Sequence, residues 1–316
     1  MSARAGSTAA LLFALLVGAA AQAARPAPAD DRVDVQPHWH VGDHPTYRLT
    51  ETTVATLDGG SKPLGSSQVM VTLDVVEARD EGWIVVWRPV PAPVTTSAAN
   101  DDQRVVREAQ ALPMKLRIDT HGRLLEVVNW EQLRDARNQV AEVMRRFMLA
   151  RKATPQVIGV AMDHEHARVA DEAAVRASLA YDAQVLLASL GHAYDRAAPS
   201  ELLRDAPNPM GGPTVPATLR FELDSFDRGA GVASLRVTQR TDPAVLERTL
   251  QAVTDGIARS SGSSAPAGAG LTLGGVAVTY RATVDVATGW PRMARSDIAA
   301  TFKGVPTLET TLLERQ

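Results

Sequence analysis

Five of the seven histidines fall into two groups. His38, His40 and His44 form one, and His164 and His166 flank a glutamate in Asp163-His164-Glu165-His166. Imidazole combined with carboxylate suits zinc, copper or nickel, so all five are candidate metal ligands. The second group is not the helical H-E-x-x-H motif, since Arg168 and Val169 follow it. A spacing of two suits a strand or a loop and splays the rings on a helix. The competing reading is that both groups are solvated segments flanking regular structure.

A second constellation is apolar. Trp83, Val85 and Trp87 alternate along one strand and share a face. With Phe147 from the helix downstream they would make a concave wall for a lipid or another hydrophobic ligand. Ordinary core packing explains the same residues.

Catalytic residues are not assigned. The chain contains no G-x-S-x-G, and Gly262-Ser263-Ser264-Ala265 sits in a linker unsuited to holding an oxyanion hole. Without cysteine there is no thiol chemistry, and no G-x-x-x-x-G-K-[ST] phosphate loop occurs. The paired acids Asp101-Asp102 and Asp171-Glu172 stand at helix starts, where negative charge favours the dipole without any catalytic role.

Mostly strands must position these groups. Tyr47 to Val54, Gln68 to Ala78 and Trp83 to Val90 have strand character, with a hairpin turn at Arg79-Asp80-Glu81-Gly82. Trp83 to Val90 is apolar on both faces near its middle, so it should be covered on both sides. Asp101 to Ala111 reads as a short helix, and Met114 to Ile118 with Leu124 to Val128 as a further hairpin. Asn129 and Gln132 suggest a capping box opening a helix whose stripe is Leu133, Ala136, Val140, Val143 and Phe147. Ala167 to Leu190 reads as one long helix ended by Gly191.

Residues 206–216, with four prolines and two glycines, form a connector. Beyond it, Thr218 to Phe226 pairs with Val232 to Arg240, Pro243 to Ile257 reads as a helix, and 260–270 is a Gly/Ser linker. Val276 to Val286, Arg292 to Thr301 and Leu308 to Leu313 complete the strands. Leu116 to Leu124 and Thr283 to Pro291 share a β-branched residue, an Asp and a Gly-containing turn, a pattern that two similar halves would produce and that unrelated hairpins also share. The expected organisation is therefore 38–205, with hairpins and two long helices, and 217–316, with a second antiparallel sheet and one helix.

At the start of the chain, Arg4, the apolar run Ala9 to Ala20 and Ala21-Gln22-Ala23 read as a signal peptide over 1–23. Its apolar core is shorter than the roughly 20 residues of a membrane helix, and no cysteine follows to carry a lipid. Residues 24–37 read as a flexible leader with too little apolar content to fold. Nothing downstream approaches a transmembrane span. Frequent Ala and Arg with little Lys suggest a bacterial, GC-rich source, and so a periplasmic or secreted location.

A formal charge of −3 offers no electrostatic footprint for a nucleic-acid partner, and Arg145, Arg146, Arg151 and Lys152 read as a solvated helix end where cations favour the dipole. An aromatic content of 4% argues against a sugar-binding face of stacked rings. With no cysteine the fold must hold by burial alone, and 316 residues are enough for a large core.

The expected fold is α+β, with mostly antiparallel, curved sheet packed against helices in a half-barrel-like shape. That layering resembles the half-barrel carriers that ferry lipids or lipoproteins across the periplasm, a likeness of shape from which function does not follow. The functional expectation is an exported, non-catalytic envelope protein that binds a hydrophobic small molecule or an envelope protein partner through a curved β surface, without a cofactor. The alternative is a periplasmic metal-binding protein using the two histidine groups.

Overall fold

The computed structural model describes residues 32–57, 60–90, 101–206, 214–242, 244–248, 251, 273–302 and 304–316. The signal-peptide segment 1–23, the Gly/Ser linker 260–270, and most of the leader and of the 206–216 connector lie outside the described residues.

Alternating apolar residues dominate the chain, and they form strands. In order these are β1 (Arg32–Val35), β2 (Thr46–Leu57), β3 (Gly60–Arg79), β4 (Gly82–Val90), β5 (Met114–Asp119) and β6 (Leu124–Val127). After the helices come β7 (His192–Asp195), β8 (Ser200–Ala206), β9 (Val215–Asp227), β10 (Val232–Thr241), β11 (Leu273–Asp285), β12 (Pro291–Phe302) and β13 (Val305–Arg315). The helices are α1 (Asp101–Ala111), α2 (Trp130–Ala150), α3 (Pro155–Ala167), α4 (Glu172–Ser178) and α5 (Tyr181–Leu187). Residues 244–248 are also helical, inside the segment expected to be a helix from Pro243.

Eleven strands make one curved antiparallel sheet in the order β6-β5-β4-β3-β2-β13-β12-β11-β10-β9-β8. The sheet is not closed, since β6 and β8 are its edges, and the fold is α+β and half-barrel-like. Segments 38–205 and 217–316 meet in it through the β2–β13 pair, where Leu49 faces Leu313, and again through the β8–β9 pair, where Leu202 faces Leu219.

Register explains why one face is the core. Val127, Leu116, Val85 and Val75 are successive cross-strand partners at one edge. Leu49, Leu313, Ala294, Ala282, Leu235 and Leu223 continue the row toward the other. All ten are buried, because residues two apart along a strand project to the same side of the sheet and these apolar residues recur at that spacing. On β4 the opposite-facing Ile84 and Val86 are buried too, and α1 packs on that strand. The expected two-sided cover of this strand is thus present.

Helices cover part of the inner face. α5 docks on β12 and β13, and α4 joins α5 to α2 and β6. At seven residues α5 is too short to persist alone in water, where isolated helices need roughly 12–15 residues. Its stability comes from Ala183, Val185, Leu186 and Leu187, all buried. Fully burying a Val or Leu side chain contributes about 1.5–3 kcal/mol.

Several local expectations are corrected. Arg32–Val35 lies within the expected flexible leader yet pairs with β7, burying Val33 and Val35, because two alternating valines suffice for an edge pairing. The single helix over Ala167 to Leu190 is instead α4 and α5, after α3 ends at Ala167. Asp171 accepts a hydrogen bond from the Ala174 amide at 2.8 Å and starts a new helix there. The Ser178 hydroxyl donates to the Arg168 and Ala174 carbonyls, and side chains of this type compete with continued helix.

Asn129 does not form a capping box. Its side-chain carbonyl accepts from the Lys115 amide at 2.8 Å and its amide donates to the Pro113 carbonyl at 2.9 Å, so it ties α2 to β5. The buried side of α2 carries Leu133 and Ala141, with Met144 and Met148 packed beside Ile158 and Met162 of α3. That side is rotated from the expected stripe, because small Ala141 and adaptable methionines admit α3 closely.

Candidate functional site

The site is built where α5 hands the chain back to the sheet. Tyr181 shares a hydrogen bond of 2.9 Å with Ser296 of β12, which fixes the start of α5 on the inner face. At the far end, Gly191 turns with φ 74°, and a Cβ there would sit 2.1 Å from the His121 carbonyl oxygen. Only glycine tolerates that approach and that backbone angle. The Gly191 amide donates to the Val35 carbonyl at 2.8 Å, and Tyr194 donates its hydroxyl to the Ser189 carbonyl at 2.8 Å.

This turn delivers β7 to β9. The His192 ring lies 3.9 Å from that of Phe221, and Tyr194 meets Phe221 edge-on at 6.0 Å. β8 then adds an edge strand, with Leu202 opposite Leu219 and Arg204 opposite Ala217.

Between these elements lies a cavity of about 540 Å³. Leu187, Leu190, Leu202, Leu219, Val237 and Tyr280 give it its apolar walls. Pockets of roughly 300–1,000 Å³ with mostly apolar lining and a few polar groups are the usual form of small-molecule sites. Several polar groups line it as well. Gln239 is buried and accepts a hydrogen bond from the Tyr280 hydroxyl at 3.4 Å. His121, Arg123, Arg176, His192 and Arg204 bring positive or imidazole groups to the same space.

The electrostatics separate these groups. Arg123 is paired with Asp119 at 2.6 Å, and Arg176 with Glu172 at 3.7 Å, while Arg176 also donates to the Leu125 carbonyl. Burial, then the neighbouring Arg204, His121 and Arg123, push His192 down to about 4, so its imidazole is neutral at pH 7. Burial and the charge of Arg123 also hold Arg204 below its ordinary value, although an arginine stays protonated.

The residues singled out from sequence are elsewhere. Val85 and Trp87 are buried in the main core and Trp83 packs against it. Phe147 does not join them: it is 55% exposed near the end of α2, under the Arg151 guanidinium at 4.2 Å. The four do not form one wall, because the buried side of α2 turns toward α3. Trp83 is committed to structure, donating its indole N–H to the Trp39 carbonyl at 3.0 Å.

His38, His40 and His44 are exposed, as are His164 and His166 on the last turn of α3. Among the described residues no three His, Asp or Glu side chains gather in a set able to hold a metal ion. The histidines at the cavity are the two outside both groups, His121 and His192. Their sequence signal is faint, since each sits beside a turn glycine, Gly122 or Gly191, and nothing in the spacing links them.

A second hollow, of about 550 Å³, lies where Thr56, Ser61, Ala277 and Thr301 meet, and no charged residue lines it among the described residues. Among the described residues no helix is long and apolar enough to cross a membrane.

The chain matches no protein-family model and no curated protein. Among solved structures it is similar to a lipovitellin chain reported for its lipid–protein interactions, with a TM-score of 0.48 and 9% identity. The match covers 90% of this chain and 25% of that one, so the chain spans a quarter of the length of the protein it matches.

Proposed function

We propose that this protein is a binding protein that holds a hydrophobic small molecule between the inner face of the curved sheet and α5. The observation that carries the reading is the cavity of about 540 Å³ walled by Leu187, Leu190, Leu202, Leu219 and Val237. Apolar surface lining a cavity gains free energy when an apolar ligand covers it, at roughly 25 cal/mol per Å². A small molecule is favoured over a protein partner because α4 and α5 already occupy much of the inner face. What remains is a pocket and not a broad surface. The reading includes export to the periplasm or the exterior, supported by the signal-like residues 1–23.

The test is organic extraction and mass spectrometry of the full chain purified without detergent. A stoichiometric apolar compound that is absent from a control protein is expected. A clean extract, together with failure of the stripped protein to take up any apolar probe, would refute the proposal.

A further inference from the structure

We infer that the cavity takes an amphiphile with an anionic headgroup, carboxylate or phosphate, and that Arg204 is the residue that binds the head. This rests on the reading that the cavity holds an apolar molecule, and it specifies the chemistry at one end of that molecule.

Arg204 lies in β8 between Leu202 and Ala206 in the inward alternation, facing the small Ala217 across the ladder. It is half-buried and lines the cavity. Two arginines at the cavity, Arg123 and Arg176, have carboxylate partners. The Arg204 side chain has neither an ion pair nor a hydrogen bond among the described residues, and no carboxylate acts on its charge. Residues 207–213, which follow β8 directly, contain no acid. Asp205, the acid among the lining residues, is exposed, takes the outward alternation and pairs with no cation among the described residues.

Withdrawing a guanidinium from water without a counter-charge is unfavourable, and the neighbouring Arg123 adds like-charge repulsion. An anion delivered by the ligand removes both costs. The planar fork of an arginine matches the two oxygens of a carboxylate or phosphate, and such charge-assisted bonds strengthen where water is excluded. The tail then lies along Leu219, Val237 and Leu187.

The test compares four amphiphiles with the same chain on the full protein by titration calorimetry, below their micelle concentrations: dodecanoate, dodecyl phosphate, dodecanol and dodecyltrimethylammonium. At least one anionic amphiphile is expected to bind about tenfold tighter than dodecanol, and the cation weakest. The better of the two anions identifies the headgroup. Arg204→Gln should bring both anions to the affinity of dodecanol while leaving dodecanol unchanged, and Arg204→Lys should keep part of the preference.

Equal binding of charged and neutral heads by the native protein overturns the inference and needs no variant. A preference that survives Arg204→Gln overturns it as well. Failure of all four to bind sinks the hydrophobic-ligand reading itself, an outcome distinct from binding without charge preference.

Discussion

Trp39 stacks on Trp290 with ring centroids 4.2 Å apart and planes 12° from parallel. Trp83 closes on the same ring at 5.3 Å. These contacts draw the segment before β2 across the turns at one end of the sheet, with the His38 amide donating to the Thr288 carbonyl at 3.0 Å and the Gly42 amide to the Val75 carbonyl at 2.9 Å. Trp290 donates its indole N–H to Asp43 at 3.2 Å, so the strap is held at both edges.

Trp39→Ala should therefore cost about 3–5 kcal/mol of stability, the usual range for removing a buried large aromatic side chain. Urea unfolding followed by circular dichroism measures it. Retention of native stability would show that the strap contributes little.

The turn at Gly191 is tested by Gly191→Ala. The added methyl meets the His121 carbonyl oxygen at 2.1 Å on a backbone with φ 74°. A loss of at least about 1 kcal/mol is expected. Because this turn sets His192 against Phe221, the near-ultraviolet dichroism of the aromatic residues should change as well. A variant with native stability and spectrum would mean that the turn relaxes freely.

Asp182 contributes stability that should fall as pH rises toward neutrality. Burial on the inner face, then the charges of Glu51 and Glu309, raise its carboxyl to about 7. The folded state holds a proton that the unfolded chain releases near pH 4, so this contribution is complete below that pH. It is lost as pH climbs to about 7, at about 1.4 kcal/mol per pH unit while the two states differ by one proton. Glu309, raised by burial and by Glu51, acts in the same direction. Asp182→Asn should raise the melting temperature at pH 8 and flatten its decline from pH 5, as read by calorimetry. His192, held down to about 4, acts in the opposite direction up to about pH 6.5, so the readout is the difference between wild type and variant. A difference that stays constant from pH 5 to pH 8 would contradict the assignment.

Sheet and main core were readable in the sequence because β-strand alternation is local: Leu73, Val75, Val85 and Trp87 occupy the inner face their spacing predicts. The helical region was less readable. Between Thr154 and Leu190 many apolar positions are alanine, so periodicity alone does not show where one helix stops. The breaks depend on side-chain hydrogen bonds from Asp171 and Ser178.

The cavity was not readable at all. Its walls come from α5, β8, β9, β10 and β11, and their meeting depends on long-range pairing. β8 carries the weak pattern Ser-Glu-Leu-Leu-Arg-Asp-Ala, in which Arg204 resembles any surface arginine until Ala217 is placed opposite. Histidine clustering pointed to the surface for the same reason: proximity in sequence is not convergence in space.

The central claim is tested most directly by filling the cavity. Ala188, at the end of α5, is small, lines the cavity and is only partly buried, so Ala188→Trp should occupy the space while retaining the fold. The measurement is a fluorescence titration of native protein and variant with a dansyl-labelled fatty acid. Saturable binding of one probe per native chain, abolished in Ala188→Trp at unchanged circular dichroism, is the predicted result. Equal binding by the two proteins, or none by the native one, would contradict the assignment of this cavity as the binding site.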